Sequence, residues 1–220
     1  MPPNPYYILF PKNIVSSQTI NISHPIPKEV REFGYLPDKT QLLPGDLLLF
    51  HHTRPPFVSR SIIKAQLNGG HHADDAKWHH AAVYIGNLMI CEAQISGGVQ
   101  LAFLYEKYIG KHEIRIRRDQ NLNSAQRYDI VINALFRLRT RYSFRSIARL
   151  LIGSQRGFWR HPFQSFGDAQ STICSQLYAD AYALTTNHLI VQKGIGLSTP
   201  ADLSLTPQLS DIQVNWLKLK

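Results

Sequence analysis

Trp78–Ala93 reads "WHHAAVYIGNLMICEA". Two histidines stand before a run of small and β-branched residues, Ala81 to Ile85, that predicts a buried strand. Gly86–Asn87 predicts a tight turn, and "LMICEAQ" predicts the returning strand. A hairpin of this kind pairs Val83 with Ile90 and brings Glu92 near Ala81 or His80. Period-two alternation puts His80, Ala82 and Tyr84 on one face and His79, Ala81, Val83 and Ile85 on the other. The second set is apolar beyond its first member and is expected to face the core. A carboxylate beside an imidazole fixes the ring tautomer and supports its charged form.

The third member of such a set is sought where a thiol sits at a helix start. "STICSQLYADAYAL", Ser171–Leu184, predicts a helix capped by Ser171 or Thr172, with Ile173, Leu177, Tyr178, Ala181 and Tyr182 at core-facing spacing. Cys174 falls in its first turn. Unpaired amides and the positive end of the helix dipole lower a thiol pKa there. A nucleophile needs that placement, and a small buried hydrophobe also tolerates it. Both histidines of the 79–80 doublet remain open as its base.

Outward from these stretches the chain reads as α+β, helix then antiparallel strands then helices. "LLLF" at Leu47–Phe50, "GGVQL" and "HEIRIRR" predict further strands. Helices are predicted over Phe57–Leu67 with Ser59 as cap, from Ser124 with Ser124 as cap, and over "SFRSIARLLIG" ending at Gly153. "NGGHHADDAK" is expected as a polar loop, and "SQRGFWRHPFQSFGDAQ" as a polar and aromatic one. Residues 1–40 read as an N-terminal arm with one short helix, and residues 41–220 as the main domain.

Composition narrows the function classes. Two cysteines, Cys91 and Cys174, make no disulfide framework and no zinc pattern. His71, His72, Asp74, Asp75, His79 and His80 crowd together, but adjacent residues ligate one ion poorly and no HExxH spacing occurs. No metal or other cofactor is expected. A formal charge of +9, from 24 Lys and Arg against 15 Asp and Glu, suits an acidic wall polymer or an anionic membrane surface. No nucleic-acid-binding motif is present, so no nucleic-acid partner is expected. Neither a signal peptide nor an apolar run of bilayer length is visible.

The ordered set "LLPGDLLLF", "FVSRSIIKAQ", "WHHAAVYIG", "ICEAQISGGVQL", "RYSF", "ICSQLYADAY" and "STPADL" resembles the circularly permuted NlpC/P60 (YiiX-like) family of papain-like cysteine hydrolases. In ordinary members the cysteine precedes the histidine; here it follows, as in the permuted branch. The resemblance implies a papain-like fold with Cys174 as nucleophile, His80 as base and Glu92 orienting it. His79 takes the place of a small polar residue and is the alternative base. Asp46 in "PGD" matches a position read as structural. The implied activity is an amidase or endopeptidase on peptidoglycan stem peptides; separately, a monomer is expected. Relatives of this topology also act on lipid esters and transfer acyl groups. A wall-type hydrolase without a visible signal further suggests a delivered antibacterial effector with an immunity protein. The contrasting reading is a non-catalytic binding module for an anionic partner.

Overall fold

The computed structural model describes residues 14–21, 25–95, 97–139, 141–142, 171–191 and 198–220. The helix expected over residues 143–153 and the aromatic loop expected over 154–170 lie outside the described residues. The architecture is α+β. Six antiparallel strands form the main sheet: β3 (Leu47–His52), β4 (His80–Gly86), β5 (Met89–Gln94), β6 (Gly98–Phe103), β7 (His112–Arg118) and β10 (Ser210–Asp211), in the order β10-β7-β3-β4-β5-β6. A small sheet joins β1 (Ile14–Ile20), β11 (Asn215–Leu219) and β2 (Tyr35–Pro37) in the order β1-β11-β2. β8 (Arg141–Tyr142) and β9 (Ser171–Thr172) form a short parallel pair.

The central strands are apolar on both faces, as strands covered on both sides must be. On one side Leu47, Leu49, Ala81, Val83 and Cys91 pack against Ile130 and Ala134 of α5 (Ser124–Leu135) and Leu177, Tyr178 and Ala181 of α6 (Cys174–Thr186). On the other, Leu48, Phe50, Ala82, Tyr84 and Ile90 meet Val30 and Phe33 of α1 (Lys28–Phe33), Leu36, Trp216 and Leu104 of α4 (Leu104–Lys107). Ala81 and Val83 thus face a core as expected, and Ala82 and Tyr84 on the other face close a second one.

Several local readings shift by a residue or more. The hairpin turns at Asn87 and Leu88, both left-handed at φ 50° and 59°. Ile85 is extra in the register between Tyr84–Ile90 and Gly86–Met89, so Val83 faces Cys91 and Glu92 faces Ala82. α5 is capped by Asn123, not Ser124: the Asn123 side chain accepts from Gln126 N–H, and the Gln126 side chain accepts from Asn123 N–H. α2 (Phe57–Asn68) is preceded by Pro56, which leaves Ser59 inside the helix. The loop at residues 68–77 contains a helical turn, α3 (Ala73–Ala76). The C-terminal turn region holds α7 (Pro200–Leu205), started by a Thr199–Asp202 capping box.

One turn aligns the sheet with α5. Gly45 has φ +84°, and a Cβ there would lie 2.9 Å from the Arg127 carbonyl oxygen. Asp46 follows, fully buried, and accepts Leu43 N–H at 2.8 Å and Arg118 Nε and Nη2 at 2.6 and 2.7 Å. Burial pushes its carboxyl up against the pull of Arg118 and Arg127. The carboxylate thereby ties the turn before β3 to the end of β7.

Candidate active site

Cys174 is the first residue of α6. Ser171 and Thr172 are held in the β8–β9 pair, so they do not cap this helix; Ile173 occupies the cap position and offers no side-chain acceptor. The sulfur fills that gap. Burial alone raises the thiol, but the His80 charge and hydrogen bond, with the Ala81 and Ser175 backbone amides, hold it below the ordinary value.

His80 opens β4 on the face opposite α6, yet its ring meets the sulfur because both lie at the same end of the sheet. Its Nε2–H donates to Glu92 Oε2 at 2.7 Å, which leaves Nδ1 as the nitrogen for the sulfur. Burial works against the imidazolium, but the Cys174 thiolate and the Glu92 carboxylate outweigh it and raise the pKa well above 6.5. The structure thus brings together Cys174, His80 and Glu92.

Glu92 is fully buried. Desolvation raises its carboxyl, but hydrogen bonds and charges from His80, Lys107 and Tyr108 hold it far below 4.5. Lys107 Nζ donates to Oε1 at 2.8 Å, Gln94 Nε2 to Oε2 at 3.0 Å and Gln100 Nε2 to Oε1 at 3.4 Å; the Tyr108 hydroxyl donates to Oε2. The sequence reading missed all four partners. Two were within reach of it: Gln94 shares the strand face of Glu92, and Gln100 lies opposite Glu92 on β6. Lys107 and Tyr108 come from α4 and the residue after it, a single turn with no periodicity to flag it.

His79 is placed differently. Its Nε2 accepts the His52 backbone N–H at 2.9 Å, and its ring lies near His51 and His112. Burial first, then the neighbouring His80 charge, pushes it down to about 3, so it stays neutral. His80→Ala is expected to raise the Cys174 thiol midpoint by more than about one pH unit, because burial is then unopposed by a cation. His79→Ala is expected to leave that midpoint in place. The rate of Cys174 alkylation by iodoacetamide against pH measures both; a larger shift in His79→Ala would reverse the assignment.

Cys174, His79 and His80 line a cleft of about 380 Å³, with Glu92 buried behind it. Val58 and Ile62 of α2 form an apolar wall, and Gln94, Gln100 and Lys107 stand in a polar one. Cys91 lies elsewhere, in the core, where burial pushes its thiol up to about 12. The two cysteines are both free.

No known protein-family profile matches the chain, and no curated protein sequence does. A solved structure does: the metalloprotein yiiX from Escherichia coli O157:H7, DUF1105, at 18% identity, with 79% of this chain and 98% of that one covered and a TM-score of 0.56. The two share a fold. A metal belongs to the description of that protein. Among the described residues no group of three or more His, Cys, Asp or Glu side chains is placed to hold an ion. In the 71–80 loop, His71 Nε2 lies 3.3 Å from Asp202, Asp75 accepts from the Ser204 hydroxyl at 2.5 Å, and His79 is held by His52. Among the described residues no helix is long and apolar enough to cross a membrane.

Proposed function

We propose that the protein is a papain-like cysteine hydrolase of the permuted NlpC/P60 type, working through a covalent acyl-enzyme. One observation carries this reading: a helix-start thiol is held low by a buried imidazolium, itself bonded to a buried carboxylate, beside a cleft. In the proposed reaction the Cys174 sulfur attacks a carbonyl carbon. The amide at the Cys174 helix start is suited to receive the oxyanion. A carbon–sulfur bond forms, the bond to the leaving group breaks, and His80 Nδ1 delivers its proton to the departing amine or alkoxide. Neutral His80 then takes a proton from water, whose oxygen attacks the thioester. The carbon–sulfur bond breaks, a carboxylic acid leaves, and the thiolate–imidazolium pair is restored. Glu92 orients the ring throughout.

Amide bonds of peptidoglycan stem peptides are the first substrate reading, supported by the family resemblance and by the Gln94, Gln100 and Lys107 side of the cleft. A lipid ester or thioester is the second, favoured by the apolar wall of α2 and by Phe57, 75% exposed at the start of that helix. The delivered-effector reading and its immunity partner rest on the sequence alone. Mass spectrometry of Cys174 after brief incubation with muropeptides, and separately with phospholipid vesicles, tests the proposal. A mass increase on Cys174 from one of the two is expected and identifies the acyl class; turnover of either substrate by a Cys174→Ala variant would sink it.

A further inference from the structure

We infer that Tyr108 and Lys107 are positioning residues: by occupying Glu92 they restrain its pull on His80 and keep the imidazolium able to release its proton. This rests on the proposed thiol chemistry and extends it beyond the three residues of that mechanism.

Five donors converge on one carboxylate. Oε2 receives His80 Nε2, Gln94 Nε2 and the Tyr108 hydroxyl; Oε1 receives Lys107 Nζ and Gln100 Nε2. A carboxylate offers about four lone-pair sites, so Glu92 is saturated. Every donor to the ionised form weakens it as a base. A buried carboxylate left to His80 alone would share its charge with no other donor and bind the imidazolium more tightly. That helps the resting ion pair and hinders proton delivery, since a general acid works best when its pKa stays near the working pH.

Tyr108 also lies beside the imidazole. It lies nearly parallel to His80, 12° apart at a centroid distance of 5.8 Å, and stacks on Phe50 at 3.9 Å. The groups facing His80 are Cys174 from α6, Glu92 from β5, His79 just before its own strand and His112 from β7, with Lys107 and Tyr108 acting through Glu92. Burial and neighbouring histidines push His112 down to about 2, and His79 stays neutral as well, so neither adds charge. Lys107 is the cation that shares Glu92 with His80.

The full chain and its Tyr108→Phe, Lys107→Met and Lys107→Arg variants test this. The His80 ring resonance is followed by NMR against pH, and Cys174 alkylation in parallel, with circular dichroism as the fold control. Tyr108→Phe and Lys107→Met are expected to raise the His80 midpoint by about one pH unit, a tenfold fall in its dissociation constant. Lys107→Arg is expected to restore the wild-type value. Should Tyr108→Phe fail to fold, Lys107→Met alone decides. Folded variants whose midpoints superimpose on a wild type with a low thiol midpoint would overturn this inference alone. A wild-type Cys174 that titrates as an ordinary thiol would overturn the underlying chemistry as well.

Discussion

Cys174→Ala is expected to lower kcat on the identified substrate by a factor on the order of 10⁶, the loss seen when a nucleophile that acts as a unit with its base is removed. The fold is expected to survive. The sulfur is a single buried atom at a helix start, and its removal costs about 1 kcal/mol of packing. Cys174→Ser is expected to be nearly as inactive, because a hydroxyl in this site is not ionised by an imidazolium. The pH dependence of the wild type follows from the two shifts. The thiol lies below its ordinary 9.0 and the imidazole above its ordinary 6.5, so the reactive ion pair exists between the two folded-state values. Activity rises as pH climbs through the Cys174 value and falls as it passes the His80 value. Initial rates across pH, with unfolding midpoints as control, check this. Activity retained in the alanine variant would remove Cys174 from the chemistry.

The second large effect concerns the turn before β3. Asp46→Ala is expected to destabilise the protein by about 3–5 kcal/mol, because it leaves the Arg118 guanidinium uncompensated with only 11% of its side chain exposed. The double replacement Asp46→Leu with Arg118→Met is expected to recover much of that loss. Burial already works against the Asp46 charge, so an apolar pair avoids the desolvation that the ion pair bears. Urea unfolding of Asp46→Leu, Arg118→Met and the double variant measures the coupling. A double variant no better than the sum of the singles would show that the turn needs the Leu43 and Gln41 contacts rather than charge neutralisation.

The distances in this site explain what could be read from the chain and what could not. Cys174, His80 and Glu92 were legible because each sits at a recognisable local feature: a helix start, a strand start and the returning arm of a hairpin. Their mutual approach depends on the sheet end, where β4 and α6 meet, and that is a tertiary fact. The hairpin register slipped by one residue because Leu88 takes a left-handed conformation rare for a branched side chain, which no turn signal announces. The choice between His79 and His80 was open to alternation and is separated by partners: a backbone amide for one, a carboxylate and a thiol for the other. Lys107 and Tyr108 were illegible because a four-residue helix carries too little pattern to place its side chains.

The pairing of β1 with β11 has a consequence for how the chain matures. β1 lies parallel to β11, with Thr19 opposite Lys218 and Ile20 opposite Leu219. The first described strand thus cannot find its neighbour on the ribosome until the last one has been synthesised. For that interval it is an unpaired edge. Its sequence suits the wait: Ser16, Ser17, Gln18 and Thr19 run consecutively through its middle, a hydrophilic stretch that offers little to a stray strand of a neighbouring nascent chain.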